Sequence, residues 1–222
     1  MREATIAMTA AAKTVTIDQL TDWLRRFQGL VAEHQTELTE LDSVIGDADH
    51  GANMARGMTA VAAKLDTDES ASIADLFKAV GMTLVTSVGG ASGPLYGTFF
   101  LRFGMSAGPV TTLAAAGLGG ALRAGLDGIV ARGKAELNDK TMYDAMAPAV
   151  DAWDASVATG GSAADASAAA LAAAEVGRDA TIPLVARKGR ASYLGERSAG
   201  HLDPGAASTT LLFRALAEAL GG

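Results

Sequence analysis

The chain contains no cysteine. That removes a disulfide framework, a thiolate nucleophile and any metal site built on sulfur, and it fits a reducing compartment. Basic residues are scarce: 18 Lys and Arg stand against 25 Asp and Glu, a formal charge of −7. A nucleic-acid binder would show a basic patch, and the densest basic group here is only Arg187, Lys188 and Arg190. No run reaches the roughly 18 uninterrupted apolar residues of a spanning helix. The Ala-rich stretch from Ala163 to Ala174 is broken by Asp165 and Ser167. Arg2 and Glu3 lead into a mixed stretch without the sustained apolar core of a secretory signal. Strand-like alternation of useful length is also lacking. The expectation is a soluble cytoplasmic protein that binds neither nucleic acid nor membrane. At 222 residues it can bury a substantial core without disulfides.

What is present is helical period. Ile17, Leu20, Leu24, Phe27, Val31, His34, Leu38 and Leu41 alternate spacings of three and four, which predicts one long helix with His34 on its buried face. Thr16 with Gln19 reads as its capping box. A second stripe runs Met54, Met58, Val61, Leu65, and a third Ile73 to Val88 behind the cap pair Ser72 and Asp75. A fourth helix is expected from Tyr96 to Met105, and a fifth from about Thr112 to Ala131. The fifth carries Gly117, Gly119, Gly120, Gly125 and Gly128, each costing about 1 kcal/mol of helicity relative to Ala. Such glycines make sense where a neighbouring helix packs very close. Thr141 with Asp144 and Ser162 with Asp165 open the sixth and seventh, and the eighth begins near Pro204. Eight helices and mostly short loops favour an all-α up-down bundle or closed barrel of antiparallel helices. Residues 1–15 read as an N-terminal extension and 16–222 as one domain. The segment from Ala186 to Asp203 is long for a loop, and long loops are often functional.

One turn stands out. Asp42, Asp47 and Asp49 fall within eight residues, with Gly46 and Gly51 flanking the last two. Carboxylates this close repel one another unless a cation lies between them. A hard dication such as Mg2+ is commonly held by one or two carboxylates together with substrate phosphates. The alternative is a polar turn whose aspartates cap the next helix. Both readings stay open on this segment alone. Two other metal classes are excluded. An EF-hand would need an oxygen ligand and a Glu where Gly51 and Met58 stand. A zinc site would need Cys and clustered His, and His34, His50 and His201 are scattered.

Other loops offer complementary chemistry. Gly89-Gly90-Ala91-Ser92-Gly93 can form a backbone anion nest or a tight helix–helix turn. Lys188 to Arg197 supplies cations, and Arg suits bidentate phosphate contacts. Gly128 to Ala135 nearly matches a P-loop, but Ala135 lacks the metal-binding hydroxyl and the preceding segment is helical in pattern. No general base and nucleophile pair emerges. The combination suits nucleotide-phosphate binding better than hydrolysis.

Taken jointly, I-G-D-A-D-H-G-A-N-M (45–54), S-V-G-G-A-S-G-P-L-Y-G-T-F-F (87–100), D-K-T-M (139–142), K-G-R-A-S-Y-L-G-E-R-S (188–198) and H-L-D-P-G-A-A-S (201–208) resemble the L subunit of dihydroxyacetone kinase, from about residue 16 onward. The resemblance implies a closed barrel of eight antiparallel helices with a nucleotide, ADP or ATP, at one end. It implies two Mg2+ ions on Asp42, Asp47 and Asp49. Nucleotide contacts are implied at His50, Gly51, Ala52, Asn53, Ala91, Ser92, Gly133, Met142, Arg190, Asp203, Pro204 and Gly205. The implied reaction passes the γ-phosphate to dihydroxyacetone held on a histidine of a separate K subunit, so this chain supplies no covalent catalytic residue of its own. Three continuations are consistent with the resemblance. Bound ADP is rephosphorylated by a phosphotransferase-system donor protein; free ATP exchanges in, on dihydroxyacetone or another short ketose; or the loaded chain regulates a transcription factor. A homodimer is a further arrangement the sequence allows.

Overall fold

The structure is a computed structural model and describes residues 14–67 and 69–221. Most of the proposed N-terminal extension therefore lies outside the described residues. Its last two positions do not behave as an extension. Thr14–Thr16 forms strand β1, and Val15 is 2% exposed within the core.

Nine α-helices follow among the described residues. They are α1 (Ile17–Glu33), α2 (Gln35–Ile45), α3 (His50–Thr67), α4 (Ile73–Ser87), α5 (Ser92–Ala107), α6 (Ala115–Gly133), α7 (Met142–Ala158), α8 (Ala163–Ala180) and α9 (Pro204–Gly221). Strand β2 (Thr112–Ala114) precedes α6, and a 3-10 helix spans Arg190–Ser198. The all-α class holds, with two corrections. The expected absence of sheet fails, because β1 and β2 pair antiparallel with Val15 opposite Leu113. Three-residue strands are too short to show an alternating pattern. The first helix is also broken: His34 sits at φ −93°, ψ 11° between α1 and α2. His34 is not buried as its apolar register suggested. Its Nδ1 lies 2.7 Å from Glu37 Oε2, with the side chain 28% exposed.

All four expected cap pairs form, because each is decided within three residues. Thr16, Thr141 and Ser162 make reciprocal capping boxes, and Ser72 accepts from the Asp75 N–H. One apolar core draws on every α-helix. The pairs in contact follow a cycle: α1 on α3, α3 on α4, then on through α5, α6, α7, α8 and α9, which returns to α1. Helix α2 packs outside that cycle, on α3, α9 and the 3-10 helix. Helix α9 is buried on nearly all faces from Pro204 to Leu216, as a helix apolar all round should be. Trp23, Phe77, Phe99, Phe100 and Phe103 interlock within the cycle, and the Trp23 indole donates to the Leu212 carbonyl at 2.9 Å.

Close approach explains three of the five glycines that the sequence singles out in α6. A Cβ at Gly119 would meet Trp153, at Gly125 Phe99 and at Gly128 Arg102, all under 3.0 Å. Gly120 faces open space and Gly117 only Leu113.

Candidate functional site

The acidic turn links α2 to α3. Asp42, in the last turn of α2, reaches across it: Oδ2 accepts from the Asp49 N–H at 2.8 Å and the His50 N–H at 3.1 Å. It thereby caps α3 from seven residues upstream. The capping reading and the metal reading thus meet in one side chain, since Oδ1 is not used in the cap. Gly46 is required beside it, because a Cβ there would lie 2.0 Å from Asp42 Oδ1. Ala48 takes φ 62°, which turns the backbone between Asp47 and Asp49. A non-glycine residue there is strained by about 1–2 kcal/mol. The result is that Asp42, Asp47 and Asp49 each present an oxygen within 4.8 Å of the others. Arg190 Nη2 lies 2.9 Å from Asp47 Oδ2, while Asp42 and Asp49 have no ion-pair partner among the described residues. Oxygen donors with excess negative charge are the set a hard dication takes.

The second wall is the Gly89–Ser92 loop. Gly90 takes φ 64°, and Ala91 at the N-cap of α5 makes no side-chain cap bond. The first N–H groups of α5 are therefore open to an anion. The Ser92 hydroxyl lies 3.1 Å from His50 Nδ1, and His50 Nε2 lies 2.9 Å from Ser208 Oγ. Ser208 continues to the Tyr96 hydroxyl at 2.8 Å, which also reaches Thr209 at 3.1 Å. Burial holds the His50 imidazole below its ordinary pKa, against the pull of Asp42 and Asp49. Burial likewise pushes the Tyr96 phenol up to about 12. This chain of neutral donors fixes Ser92 at the loop.

The third wall comes from residues 181–205. Asp203 caps α9, its Oδ2 accepting from the Ala206 N–H at 2.7 Å. Burial pushes its carboxyl up to about 7. Lys140 is 1% exposed and donates to the carbonyls of Thr181, Ile182 and His201. Burial lowers its ammonium pKa, opposed by Asp203. These three walls enclose a cavity of about 610 Å³, floored by Leu95, Ile129 and Met142 and rimmed by Arg187, Lys188 and Arg190.

A family model described as the DAK2 domain matches residues 44–218. The ADP-binding subunit of the PEP-dependent dihydroxyacetone kinase of Escherichia coli (strain K12) is 46% identical over 201 residues, covering 90% of this chain and 96% of that one. The ADP-binding subunit of the PTS-dependent kinase of Lactococcus lactis subsp. lactis (strain IL1403) is 43% identical over 207 residues, covering 92% and 98%. The chain belongs to the DAK2-domain family, with these ADP-binding subunits. The crystal structure of the dihydroxyacetone kinase from C. freundii in complex with AMP-PNP and Mg2+ superposes at TM-score 0.66 and 28% identity, covering 88% of this chain and 33% of that one.

Within this DAK2 fold, the cavity gathers most of the residues singled out from sequence. Asp42, Asp47, Asp49, His50, Ala91, Ser92, Gly133, Met142, Arg190, Asp203, Pro204 and Gly205 all line it. Gly51, Ala52 and Asn53 do not. Gly51 faces α2, where a Cβ would sit 2.1 Å from the Gln35 carbonyl oxygen, and Ala52 is exposed away from the cavity. Asn53 lies beneath the glycine loop: a Cβ at Gly89 would meet its Oδ1 at 2.8 Å. Arg56 donates to Asn53 Oδ1 at 2.6 Å and to the Ser87 carbonyl at 2.9 Å. Asn53 and Arg56 thus support the loop from behind. The near-P-loop at Gly128–Ala135 falls mainly in α6, which ends at Gly133, so no strand feeds it. Nothing local in the sequence singles out Lys140, because the carbonyls that surround its ammonium come from residues 181–201.

Proposed function

We propose that the chain is the nucleotide-binding, phosphoryl-transferring subunit of a dihydroxyacetone kinase, with ADP as a held cofactor. The observation that carries this is convergence: the aspartate triad, the open α5 N-terminus and Arg190 face one cavity. Asp42, Asp47 and Asp49 suit two Mg2+ ions, which when bound neutralise charge on the phosphoryl oxygens. The backbone N–H groups behind Ala91 and the Ser92 hydroxyl cradle the phosphates, and Leu95, Ile129 and Met142 offer apolar cover for the base. The cycle of helix contacts supports a closed barrel with this site at one end.

The chain's own contribution is positioning and charge. Both ring nitrogens of His50 are engaged, by Ser92 and Ser208, and all three Lys140 donors are taken by carbonyls. Neither is placed to remove a proton from an incoming hydroxyl. In this reading the acceptor ketone and its proton acceptor belong to a separate K subunit, which docks at the cavity mouth beside Arg190 and the exposed Tyr193. The E. coli and L. lactis relatives are named PEP-dependent and PTS-dependent. That supports rephosphorylation of bound ADP by a phosphotransferase-system donor protein.

The test is reconstitution. The purified chain should retain ADP through gel filtration and fail to phosphorylate dihydroxyacetone. Turnover should appear on adding a K subunit with the phosphorylated donor protein, and not with ATP alone. Turnover by the single chain would overturn the reading, and turnover with K subunit and ATP alone would replace the donor protein by nucleotide exchange.

A further inference from the structure

Residues 181–203 leave the end of α8 and return to the start of α9, carrying the cavity's basic rim and Asp203. The two ends of this segment meet at one side chain. The Lys140 ammonium lies 2.7 Å from the Thr181 carbonyl and 3.3 Å from that of Ile182 at one end, and 2.5 Å from that of His201 at the other. An ammonium has three protons, and all three are spent here. The neck is reinforced by the Gly200 N–H donating to the Ile182 carbonyl at 2.7 Å.

The same turn holds the segment at a second level. The Arg187 N–H donates to the Asp139 carbonyl at 3.0 Å, and the Ala186 N–H to Ser198 Oγ at 2.8 Å. The turn itself is an unrelaxed piece of backbone. Lys140 takes φ 63°, left-handed and not glycine, next but one to Asn138 at φ 71°, a residue type that tolerates that region. Strain of that kind persists only where surroundings over-determine it. Burying a lysine at 1% exposure is also costly unless every donor is paired. The pairing is complete, and its geometric result is a closed loop with Arg190 set 2.9 Å from Asp47.

We propose that Lys140 is a positioning residue, whose ammonium closes the neck of the 181–203 loop and so holds Arg190 and Asp203 against the aspartate triad. What the loop does there rests on the nucleotide-site reading above; the clamp itself does not. Lys140 borders the cavity, but its ammonium is spent on the clamp. It acts through three backbone carbonyls, and an arginine would not replace it, because a planar guanidinium cannot point three donors into one pyramid of acceptors.

The experiment is hydrogen exchange on the full chain, wild type and Lys140→Met, with Mg·ADP binding measured in parallel. In the wild type the Ala186, Arg187 and Gly200 amides should open together as one unit, since one neck retains them. Lys140→Met should raise exchange across 186–200 by about tenfold or more while α4 and α5 amides stay as in the wild type. Trypsin should then cut at Arg187, Lys188 and Arg190, which the wild type resists although both arginines are exposed. Mg·ADP affinity should fall by about tenfold, as expected when positioned charges are released from a phosphate site. Independent exchange of the three wild-type amides overturns the clamp, even if the variant does not fold. Exchange that rises equally in α4 and α5 shows a general structural role and overturns positioning. A loosened loop with undiminished Mg·ADP affinity does the same. Failure of the wild type to bind Mg·ADP strikes the nucleotide reading instead, and leaves the exchange arm to decide the clamp.

Discussion

Replacing Asp49 by asparagine should change the protein's stability in opposite directions with and without magnesium and nucleotide. The hydrogen bonds recorded at Asp49 use its backbone: the N–H donates to Asp42 Oδ2, and the carbonyl accepts from the Asn53 N–H. Asparagine keeps both, so the substitution removes charge rather than architecture. The three carboxylates have oxygens within 4.8 Å of one another. Two unit charges at 4.8 Å repel by roughly 0.9 kcal/mol in water and roughly 3.5 kcal/mol at an effective dielectric of about 20. Asp49 is partly exposed, so the lower figure governs. In chelator the variant should therefore be more stable by about 1 kcal/mol, a melting temperature higher by about 2–4 °C for a chain of this size.

With Mg·ADP at a hundred times its dissociation constant, the wild type should gain about 2.7 kcal/mol. If losing one ligand weakens binding about a hundredfold, the variant gains only about 0.4 kcal/mol at the same concentration. The order of melting temperatures should invert. Differential scanning calorimetry in EDTA and in Mg·ADP reads both arms. A variant that melts below the wild type in EDTA would refute the crowding of uncompensated charge. Equal gains from Mg·ADP would refute the triad as the metal site.

Further outcomes follow from other features. The Asp203 carboxyl is held at about 7, above its ordinary 3.8, by burial. The folded state therefore binds the extra proton between those values, so stability falls as pH rises from about 4 to about 7 and levels off above. Asp203→Asn keeps the acceptor for the Ala206 N–H, and its denaturant-measured stability relative to wild type should rise across that window; a flat difference would show the carboxyl is not buried in charge-hostile surroundings. Gly177→Ala should destabilise by about 1–3 kcal/mol, because its Cβ would lie 2.2 Å from the Asp144 carbonyl oxygen. Gly29→Ala, in α1 with nothing within 4 Å, should stabilise by about 0.5–1 kcal/mol. Urea melts that rank the two the other way would undo the helix-packing account.

What the sequence disclosed follows how local each determinant is. The cap pairs and the aspartate triad are each settled within a few residues, so both were legible. The break at His34 was not. The three-four stripe runs straight through it from Val31 to Leu38, with no glycine or proline to mark a stop. Gly177 was equally silent, and its reason lies in a different helix. Pro148 has no N–H to give the Asp144 carbonyl four residues back, and α8 comes down on that carbonyl at a residue without a Cβ. Convergence of the 42–50, 89–92 and 187–205 segments on one cavity depends on how distant helices pack, which no single stretch encodes; only the family likeness pointed to it. That likeness also has a grain the structure makes visible. His50 and Asn53 stand three residues apart in one quoted motif, yet His50 faces the cavity while Asn53 props the glycine loop from behind. A motif preserves both kinds of residue, the ones that would touch a ligand and the ones that hold those in place. Asn53 and Lys140 are of the second kind, and separating them from Ser92 and Arg190 required knowing where each side chain ends.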